Sequence, residues 1–209
     1  IGFARRFATY KRAPLIFKDA KRLAKIMGNA DRPVQFLFAG KAHPQDTAGQ
    51  DVGRQIHEYS RKEPFRGRVY LIQNYDTSIG RMLTSGCDVW LNNPIRPMEA
   101  SGTSGMKPPL NLGINCSILD GWWPEGYNKK NGWAIGGKQF SDRKKQDAYD
   151  AEAIYTTLEK QVVPMFYKRG RDGVPREWCK MMAESMKSVC AKFSSHRMVA
   201  EYVRDYYWR

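Results

Sequence analysis

A loop of small residues carries the side chains in this sequence best suited to covalent chemistry. Glu99 opens it, glycine and small hydroxyl residues follow, and Lys107 closes it. Such residues let backbone N–H groups converge on an anion, and a helix beginning there would add the positive end of its dipole. A lysine beside this cradle can form an imine with an aldehyde-bearing cofactor whose phosphate occupies the loop. A solvent-exposed turn with an incidental lysine is the alternative that the loop alone leaves open.

Two basic pairs near the start of the chain are candidates for binding an anion. Arg5 and Arg6 follow the first apolar run, and Lys11 and Arg12 stand where a helix is predicted to begin. Arginine binds phosphate oxygens in pairs, whereas lysine offers a compact charge. Cations at a helix N-terminus oppose the helix dipole, so their placement favours an arriving anion. A solvated basic helix start is the other interpretation.

Short apolar runs alternate with helical patterns along the first two thirds of the chain. The runs, at residues 2–4, 34–39, 69–73, 87–91 and 115–119, have the length of strands buried on both faces. Apolar residues keep helical spacing within 11–28, 52–59 and 79–83. This alternation predicts an α/β fold, a Rossmann-like doubly wound parallel sheet. Functional sites in such sheets gather at the carboxyl ends of the strands, where Arg5, Tyr75 and Glu99 are all expected.

The last third of the chain is predicted to be helical. Amphipathic patterns span 151–163, 178–193 and 198–208, and the last of these is an aromatic stripe expected to be packing surface. The expected organisation is one domain over residues 1–209, with a sheet core at 1–145 and a helical tail at 146–209. The first residues, Ile-Gly-Phe-Ala without an initiator methionine, indicate a chain cut from something longer.

Composition argues against several partners. The net charge of +14 raises nucleic acid as a possibility, but the positive residues are spread through helices, so no nucleic-acid partner is expected. No apolar run is long enough to span a membrane. The four cysteines show neither CxxC pairing nor zinc-like spacing, and Cys87 and Cys116 fall in predicted strands. We therefore expect no metal site and no disulfide, which is typical of the cytoplasm.

Several ordered segments together resemble one known family, the α-glucan phosphorylases. The signature EASGTSGMKPPLN at residues 99–111 matches every fixed position of that family's cofactor motif. GFARRFATYKRA, FLFAGKAHP, LIQNYD and LDGWWPEGYNKKNGWAIG are similar to family segments in the same order. The resemblance covers essentially the whole chain but only the second half of a phosphorylase, which is the C-terminal domain of a GT-B glycosyltransferase. It implies a retaining enzyme that uses pyridoxal phosphate.

The resemblance implies roles for the residues that match the cofactor site. Lys107 would hold pyridoxal phosphate as an imine, and Thr103 and Ser104 would face the cofactor phosphate together with Arg5. Tyr75 would lie beside the cofactor ring. The cofactor phosphate would pass a proton to inorganic phosphate and take it back. Pro108 and Pro109 depart from the usual motif and are expected to bias Lys107 away from helical angles.

The resemblance also implies a substrate site. Arg6 and Lys11 would bind the substrate phosphate, which makes them, with Lys107, the expected catalytic residues. The residues implied to bind sugar are Tyr10, Glu99, Ser101 and Gly102. The reaction would be phosphorolysis of α-1,4-glucan to glucose 1-phosphate. The partners would be the glucan, inorganic phosphate and the missing N-terminal domain, within a full-length homo-oligomer.

Two other functions remain open at this point. One is a sugar-nucleotide glycosyltransferase domain, which shares the two-domain architecture but has no use for Lys107. The other is a truncated, non-catalytic module that binds the cofactor or phosphate. An isolated half is expected to be inactive, because an active site formed between two domains cannot position a glucan with one domain missing.

Overall fold

The computed structural model describes residues 1–208, and these form one six-stranded sheet. In chain order its strands are β1 Gly2–Ala4, β2 Phe36–Ala39, β3 Val69–Ile72, β4 Val89–Asn92, β5 Ile114–Ile118 and β6 Gly132–Ile135. All neighbours are parallel, and the order across the sheet is β3-β2-β1-β4-β5-β6. The chain therefore builds outward from β1 and then returns to add β4 on the other side. This order confirms the predicted doubly wound, Rossmann-like α/β fold.

The central strands are buried because helices cover both faces of the sheet. Every residue of β4 and β5 is buried, and Phe3, Phe36 and Phe38 are fully inaccessible. The α-helices, in order, are α1 Ala20–Met27, α2 Thr47–Arg61, α3 Thr77–Gly86, α4 Trp123–Gly126, α5 Arg143–Thr157, α6 Val163–Tyr167, α7 Arg176–Cys190 and α8 Ser195–Tyr202. Uninterrupted apolar runs are what a parallel sheet covered on both faces requires.

Aspartate side chains fix where four of the helices begin. Asp19, Asp46, Asp76 and Asp142 each accept a hydrogen bond from a backbone N–H in the first turn of α1, α2, α3 and α5. Such capping satisfies donors that the helix itself leaves free. The cap at Asp76 has a consequence for the site below, because it commits one carboxylate oxygen to the backbone.

The strand bounds differ from the predicted runs at their ends. The fourth strand is β4, Val89–Asn92, so Cys87 lies outside it; its backbone N–H instead donates to the carbonyl of Leu83 and ends α3. Cys116 lies in β5, as predicted. The short strand β6 was missed, because its four residues begin with glycine and it gains its regularity only by pairing with β5.

The single helix predicted over residues 11–28 is wrong in its first half. Two 3₁₀ turns, Thr9–Lys11 and Ala13–Phe17, meet at Arg12, and α1 begins only at Ala20. Arg12 adopts a left-handed backbone conformation with φ of 52°, which no α-helix accommodates. The hydrogen bonds of its guanidinium, described below, account for this conformation.

Beyond β6, the described residues form helices and connecting turns. Helix α5 runs through a π turn at Leu158–Val162 into α6, and α8 runs into a second π turn at Val203–Tyr207. The aromatic stripe was expected to be packing surface, yet Tyr206, Tyr207 and Trp208 are 74 to 85% exposed. Within residues 1–208, Tyr206 packs edge to face against Tyr202 of the same stripe. Among residues 1–208, no helix combines the length and apolar character needed to cross a membrane.

Candidate functional site

The loop of residues 93–113 crosses the carboxyl edge of the sheet between β4 and β5. It contains two 3₁₀ turns, Thr103–Met106 and Pro108–Asn111, and no α-helix begins in it. Pro108 and Pro109 lack the N–H groups that an α-helix would need there. The expected dipole contribution of a full helix is therefore absent, and any anion at this loop must rely on local N–H groups and side chains.

Lys107 sits where the two turns meet. Its φ and ψ of −81° and −43° are helical, so the expectation that Pro108 would move it away from helical angles is wrong. Its N–H donates to the carbonyl of Ser104 and its own carbonyl accepts from the N–H of Leu110. These two bonds hold the backbone against the bias of the following proline.

Residues after β5 form hydrogen bonds with the loop. The sequence did not indicate this role for them. The Asp120 carboxylate accepts the N–H of Glu99 at 2.9 Å, and the N–H of Trp122 donates to the carbonyl of Ser101 at 2.8 Å. Gly121, with φ of 58°, lies so close that a Cβ would stand 2.3 Å from that carbonyl oxygen. Only glycine fits between these contacts. The segment LDGWW, which contains Asp120, Gly121 and Trp122, was the sequence signal for these contacts with the loop.

A crevice of about 320 Å³ opens at this edge of the sheet. It brings together three residues that the sequence assigned to the cofactor: Lys107, Ser104 and Tyr75. The rest of its lining comes mainly from α3 and the residues before it, and from two central strands: Ala4, Asp76, Thr77, Gly80, Arg81, Thr84 and Trp90. Thr103 is exposed on the same loop but does not line the crevice.

The crevice passes a test of fit for a phosphate-bearing aldehyde such as pyridoxal phosphate. Lys107 is exposed and makes no ion pair with the described residues, so its amine is available. Gly80 lies in the wall, and a Cβ there would come within 2.8 Å of the Tyr75 hydroxyl. The indole Nε1 of Trp90, a buried donor, finds no partner among the described residues. An amine, a tyrosine and free donors around a space of this size suit that group.

A second cluster forms around Glu99. Lys11 Nζ lies 2.6 Å from both carboxylate oxygens of Glu99, and the pair is largely buried. Lys11 Nζ also lies 4.8 Å from the centre of the Tyr10 ring. The structure thus brings together Lys11, Tyr10 and Glu99, which the sequence assigned to phosphate and sugar. Since Glu99 already occupies Lys11, any phosphate that binds Lys11 must share it with this carboxylate.

Arg5 belongs to the Glu99 cluster rather than to the wall of the crevice. Its guanidinium lies 4.0 Å from Glu99 and donates to the carbonyl of Leu91 at 3.0 Å. Its Nε is buried and has no partner among the described residues. Burial lowers the pKa of Arg5 to about 10, and Glu99 opposes that change, so the group stays charged at neutral pH. Arg5 also lies close enough to Tyr75, a residue of the crevice wall, for the two groups to interact electrostatically, so the Glu99 cluster adjoins the crevice.

The other predicted substrate residues are less constrained. Arg6 is exposed, and its side chain makes no hydrogen bond or ion pair with residues 1–208. Ser101 is exposed and Gly102 is half-buried with φ of 76°. The N–H groups of Ser101 and Gly102 donate to no acceptor in the described chain, so both remain available to a ligand.

Arg12, a candidate for binding an anion on sequence grounds, is instead committed to partners within the chain. Its buried guanidinium donates to the carbonyl oxygens of Asn93 and Pro94 and to the carboxylates of Asp147 and Asp150, at 2.7 to 3.0 Å. Asn93 Nδ2 donates back to the Arg12 carbonyl at 2.9 Å. Arg12 therefore ties the turn that carries Lys11 to the end of β4 and to α5. Asp147 and Asp150 lie three positions apart on one helix face, but this spacing alone does not indicate that Arg12 is their partner.

These features define a class of protein: a doubly wound parallel α/β domain whose lysine-bearing crevice lies beside the point where the strand order reverses. Ligands bind such sheets at that position. No protein-family model matches the chain.

Individual proteins give a more specific result. The chain is 51% identical to the maltodextrin phosphorylase of Thermococcus litoralis over 209 residues, which is 99% of this chain and 24% of that protein. It is 48% identical to the glycogen phosphorylase of Aquifex aeolicus over 99% of this chain and 30% of that protein. It is 44% identical to the glycogen phosphorylase of Mycobacterium bovis over 99% of this chain and 24% of that protein. The chain thus matches a fragment of the phosphorylase family, as the resemblance predicted, and spans 24 to 30% of the length of these relatives.

Proposed function

We propose that this chain is the cofactor- and phosphate-binding half of an α-glucan phosphorylase, which cleaves α-1,4-glucan with inorganic phosphate to release glucose 1-phosphate. The observation that carries the proposal is the crevice in which Lys107, Ser104 and Tyr75 meet. Its support is the identity of 44 to 51% with maltodextrin and glycogen phosphorylases. When bound, pyridoxal phosphate supplies an aldehyde for attachment and a phosphate that exchanges a proton with the substrate phosphate.

In this proposal the residues of the crevice hold and orient the cofactor. The Lys107 amine attaches it, and Tyr75 forms the wall beside its ring. Ser104 and its neighbour Thr103 begin a 3₁₀ turn, whose first N–H groups have no acceptor within the turn and are free to face a phosphate. Holding the group in one orientation removes much of the entropic cost of the reaction.

The Glu99 cluster would bind the substrate. Arg5 and Lys11 carry two positive charges against the single negative charge of Glu99, which leaves the cluster with a net attraction for phosphate. Arg6 is exposed and its guanidinium has no hydrogen-bond or ion-pair partner within residues 1–208, so it could bind the same phosphate. A phosphate on Lys11 would release Glu99 oxygens to accept sugar hydroxyls, with Tyr10 and the N–H groups of Ser101 and Gly102 alongside.

The remaining parts of the proposal concern what lies outside the chain. A glucan site needs more protein than the 24 to 30% of the relatives' length that this chain spans, so we propose a partner N-terminal domain and an oligomeric full-length enzyme. The same short span favours one alternative, that the chain alone binds the cofactor without turnover. Its four cysteines form no disulfide within residues 1–208, which supports a reducing compartment such as the cytoplasm.

A spectroscopic titration tests the proposal. Pyridoxal phosphate added to the purified chain should give a new absorbance band in the wild type and in Lys21→Ala, an exposed lysine on α1 that serves as the control. Lys107→Ala should abolish the band. A band that survives in Lys107→Ala would contradict the assignment of the cofactor to this crevice. In the full-length protein, phosphate-dependent release of glucose 1-phosphate from maltodextrin should require Lys107 as well.

A further inference from the structure

A cavity of about 80 Å³ lies at the amino edge of the sheet, at the other end of the strands from the Lys107 crevice. Its floor is formed by Ile1, by Val34 just before β2 and by Val89 at the start of β4. Its roof comes from the helical tail and consists of Val162, Val163, Phe166, Tyr167 and Trp178. Ligand pockets usually measure about 300–1,000 Å³, so this apolar space suits one side chain rather than a small-molecule ligand.

Strand β1 reaches this cavity with its hydrogen bonds complete to Ile1. The Ile1 nitrogen donates to the carbonyl of Gln35, and the N–H of Leu37 donates to the carbonyl of Ile1, both at 2.9 Å. These are the bonds of a parallel ladder, so Ile1 lies opposite Phe36, one step before the Gly2–Leu37 pair. Burial lowers the pKa of the Ile1 amino group, whereas a peptide N–H at this atom would make the same bond to Gln35 without a buried charge.

The register determines which upstream side chain would reach the cavity. Alternate residues of a strand face the same side of the sheet, and Ile1 and Phe3 both pack in the main core. A residue two positions before Ile1 would share that face and lie opposite Val34, which is buried and lines the cavity. The residue immediately before Ile1 would face the other side of the sheet.

The roof of the cavity is held in place by its own contacts. The Tyr167 hydroxyl donates to the carbonyl of Pro33 at 2.5 Å, which ties α6 to the residues before β2. The rings of Phe166 and Trp178 pack edge to face with their centroids 4.9 Å apart. Since these contacts keep the roof from collapsing onto the floor, an apolar group that fills the space would add packing contacts and stabilise the fold.

We propose that the segment preceding Ile1 in the full-length protein continues β1 and seats an apolar side chain, two positions before Ile1, in this cavity. The proposal rests on the part of the proposed function that places the chain within a longer enzyme, since the chain spans only 24 to 30% of the length of its relatives. The segment would then enter through an interior strand of the sheet, beneath the helical tail. This entry leaves the carboxyl edge, with its crevice, open to ligands.

Three extensions of the chain test this register. Each places two residues before Ile1, exposed by removing a tag with a protease: Leu-Ser, with leucine two positions before Ile1, the reversed Ser-Leu, and Ser-Ser. Urea denaturation gives the midpoint of unfolding of each. Leu-Ser should unfold about 0.5–1 M higher than Ser-Ser, as expected for burial of one leucine side chain. Ser-Leu should stay close to Ser-Ser, because its leucine faces away from the cavity.

A second pair of variants locates the gain in the cavity. Phe166→Ala removes part of the roof, so it should lower the midpoint more in the Leu-Ser chain than in the Ser-Ser chain. Phe140→Ala is the matched control, because Phe140 is exposed and lies outside the cavity. It should change the midpoints of both chains equally.

Two results would overturn the proposal. Equal midpoints for Leu-Ser and Ser-Leu would show that the register is wrong or that the cavity accepts no side chain from this segment. A gain in Leu-Ser that Phe166→Ala leaves intact would place the leucine elsewhere. None of these measurements involves the cofactor. A chain that shows the Leu-Ser gain but binds no pyridoxal phosphate through Lys107 would contradict the proposed function and leave this inference standing.

Discussion

Replacing Asp150 with alanine should destabilise the fold through Arg12, which the structure places at the junction of three elements. Both side chains are buried, with 3% and 4% of their surfaces exposed, and their nearest atoms lie 2.7 Å apart. Removing one partner of a buried ion pair costs about 3–5 kcal/mol. Asp147 also contacts Arg12 at 2.8 Å and would still balance its charge, so we expect the lower end of that range. The free energy of unfolding should fall by about 3 kcal/mol.

Urea denaturation of the purified chain measures this change. With a slope of roughly 2–3 kcal/mol per molar urea, the midpoint should move down by about 1 M or slightly more. Asp51→Ala is the matched control, because Asp51 pairs with Arg54 in an exposed ion pair on α2. Exposed pairs contribute little, so this variant should differ from wild type by less than about 1 kcal/mol.

A double-variant cycle shows whether the cost belongs to the Arg12–Asp150 pair. In an Arg12→Gln background, Asp150→Ala should cost much less than it does in the wild type, because no buried charge remains to be stranded. Two results would contradict this expectation. One is that Asp150→Ala does not differ from Asp51→Ala in its effect on unfolding, and the other is exact additivity of the changes at positions 12 and 150. Either result would mean that the ion pair does not anchor the turn that carries Lys11.

Two further outcomes follow from the pKa shifts. Hydrogen bonds from Arg22 lower the pKa of Glu159 and of Glu152, so their contribution to stability is present above the ordinary carboxylate pKa and is lost as pH falls through the lowered values. Arg22→Gln should therefore reduce the free energy of unfolding by about 1 kcal/mol or less at pH 7. The reduction should be smaller in acid, where only the contacts of Arg22 with Thr156 and Tyr155 remain, and an equal reduction at both pH values would contradict this. Burial raises the pKa of Cys116 to about 12, so at pH 8 a thiol reagent should label the exposed Cys179 and spare Cys116 until urea unfolds the chain. Early labelling of Cys116 would contradict its burial in β5.

The fold was readable from the sequence because its strongest signals are local. Short apolar runs predicted both β2 and β5. Polar residues interrupt these runs only singly, which is typical of buried strands. The errors lie where distant contacts decide. Arg12 breaks a helix that its neighbours would continue, because Asn93, Asp147 and Asp150 hold its guanidinium. No local pattern contains those partners.

The site was only partly readable. The motif letters pointed to Lys107, Ser104 and Tyr75, which line one crevice. The roles of all these residues remain predictions, and Arg6 and Thr103 are exposed and do not line the crevice.

In the proposed function, the amine of Lys107 opens into this crevice and holds pyridoxal phosphate there. Trapping pyridoxal phosphate on the chain with borohydride, followed by digestion and peptide mass spectrometry, measures where it attaches. The added mass should fall on the peptide that contains Lys107, at near-stoichiometric yield. Modification spread over exposed lysines such as Lys129 and Lys130, with no preference for Lys107, would contradict it.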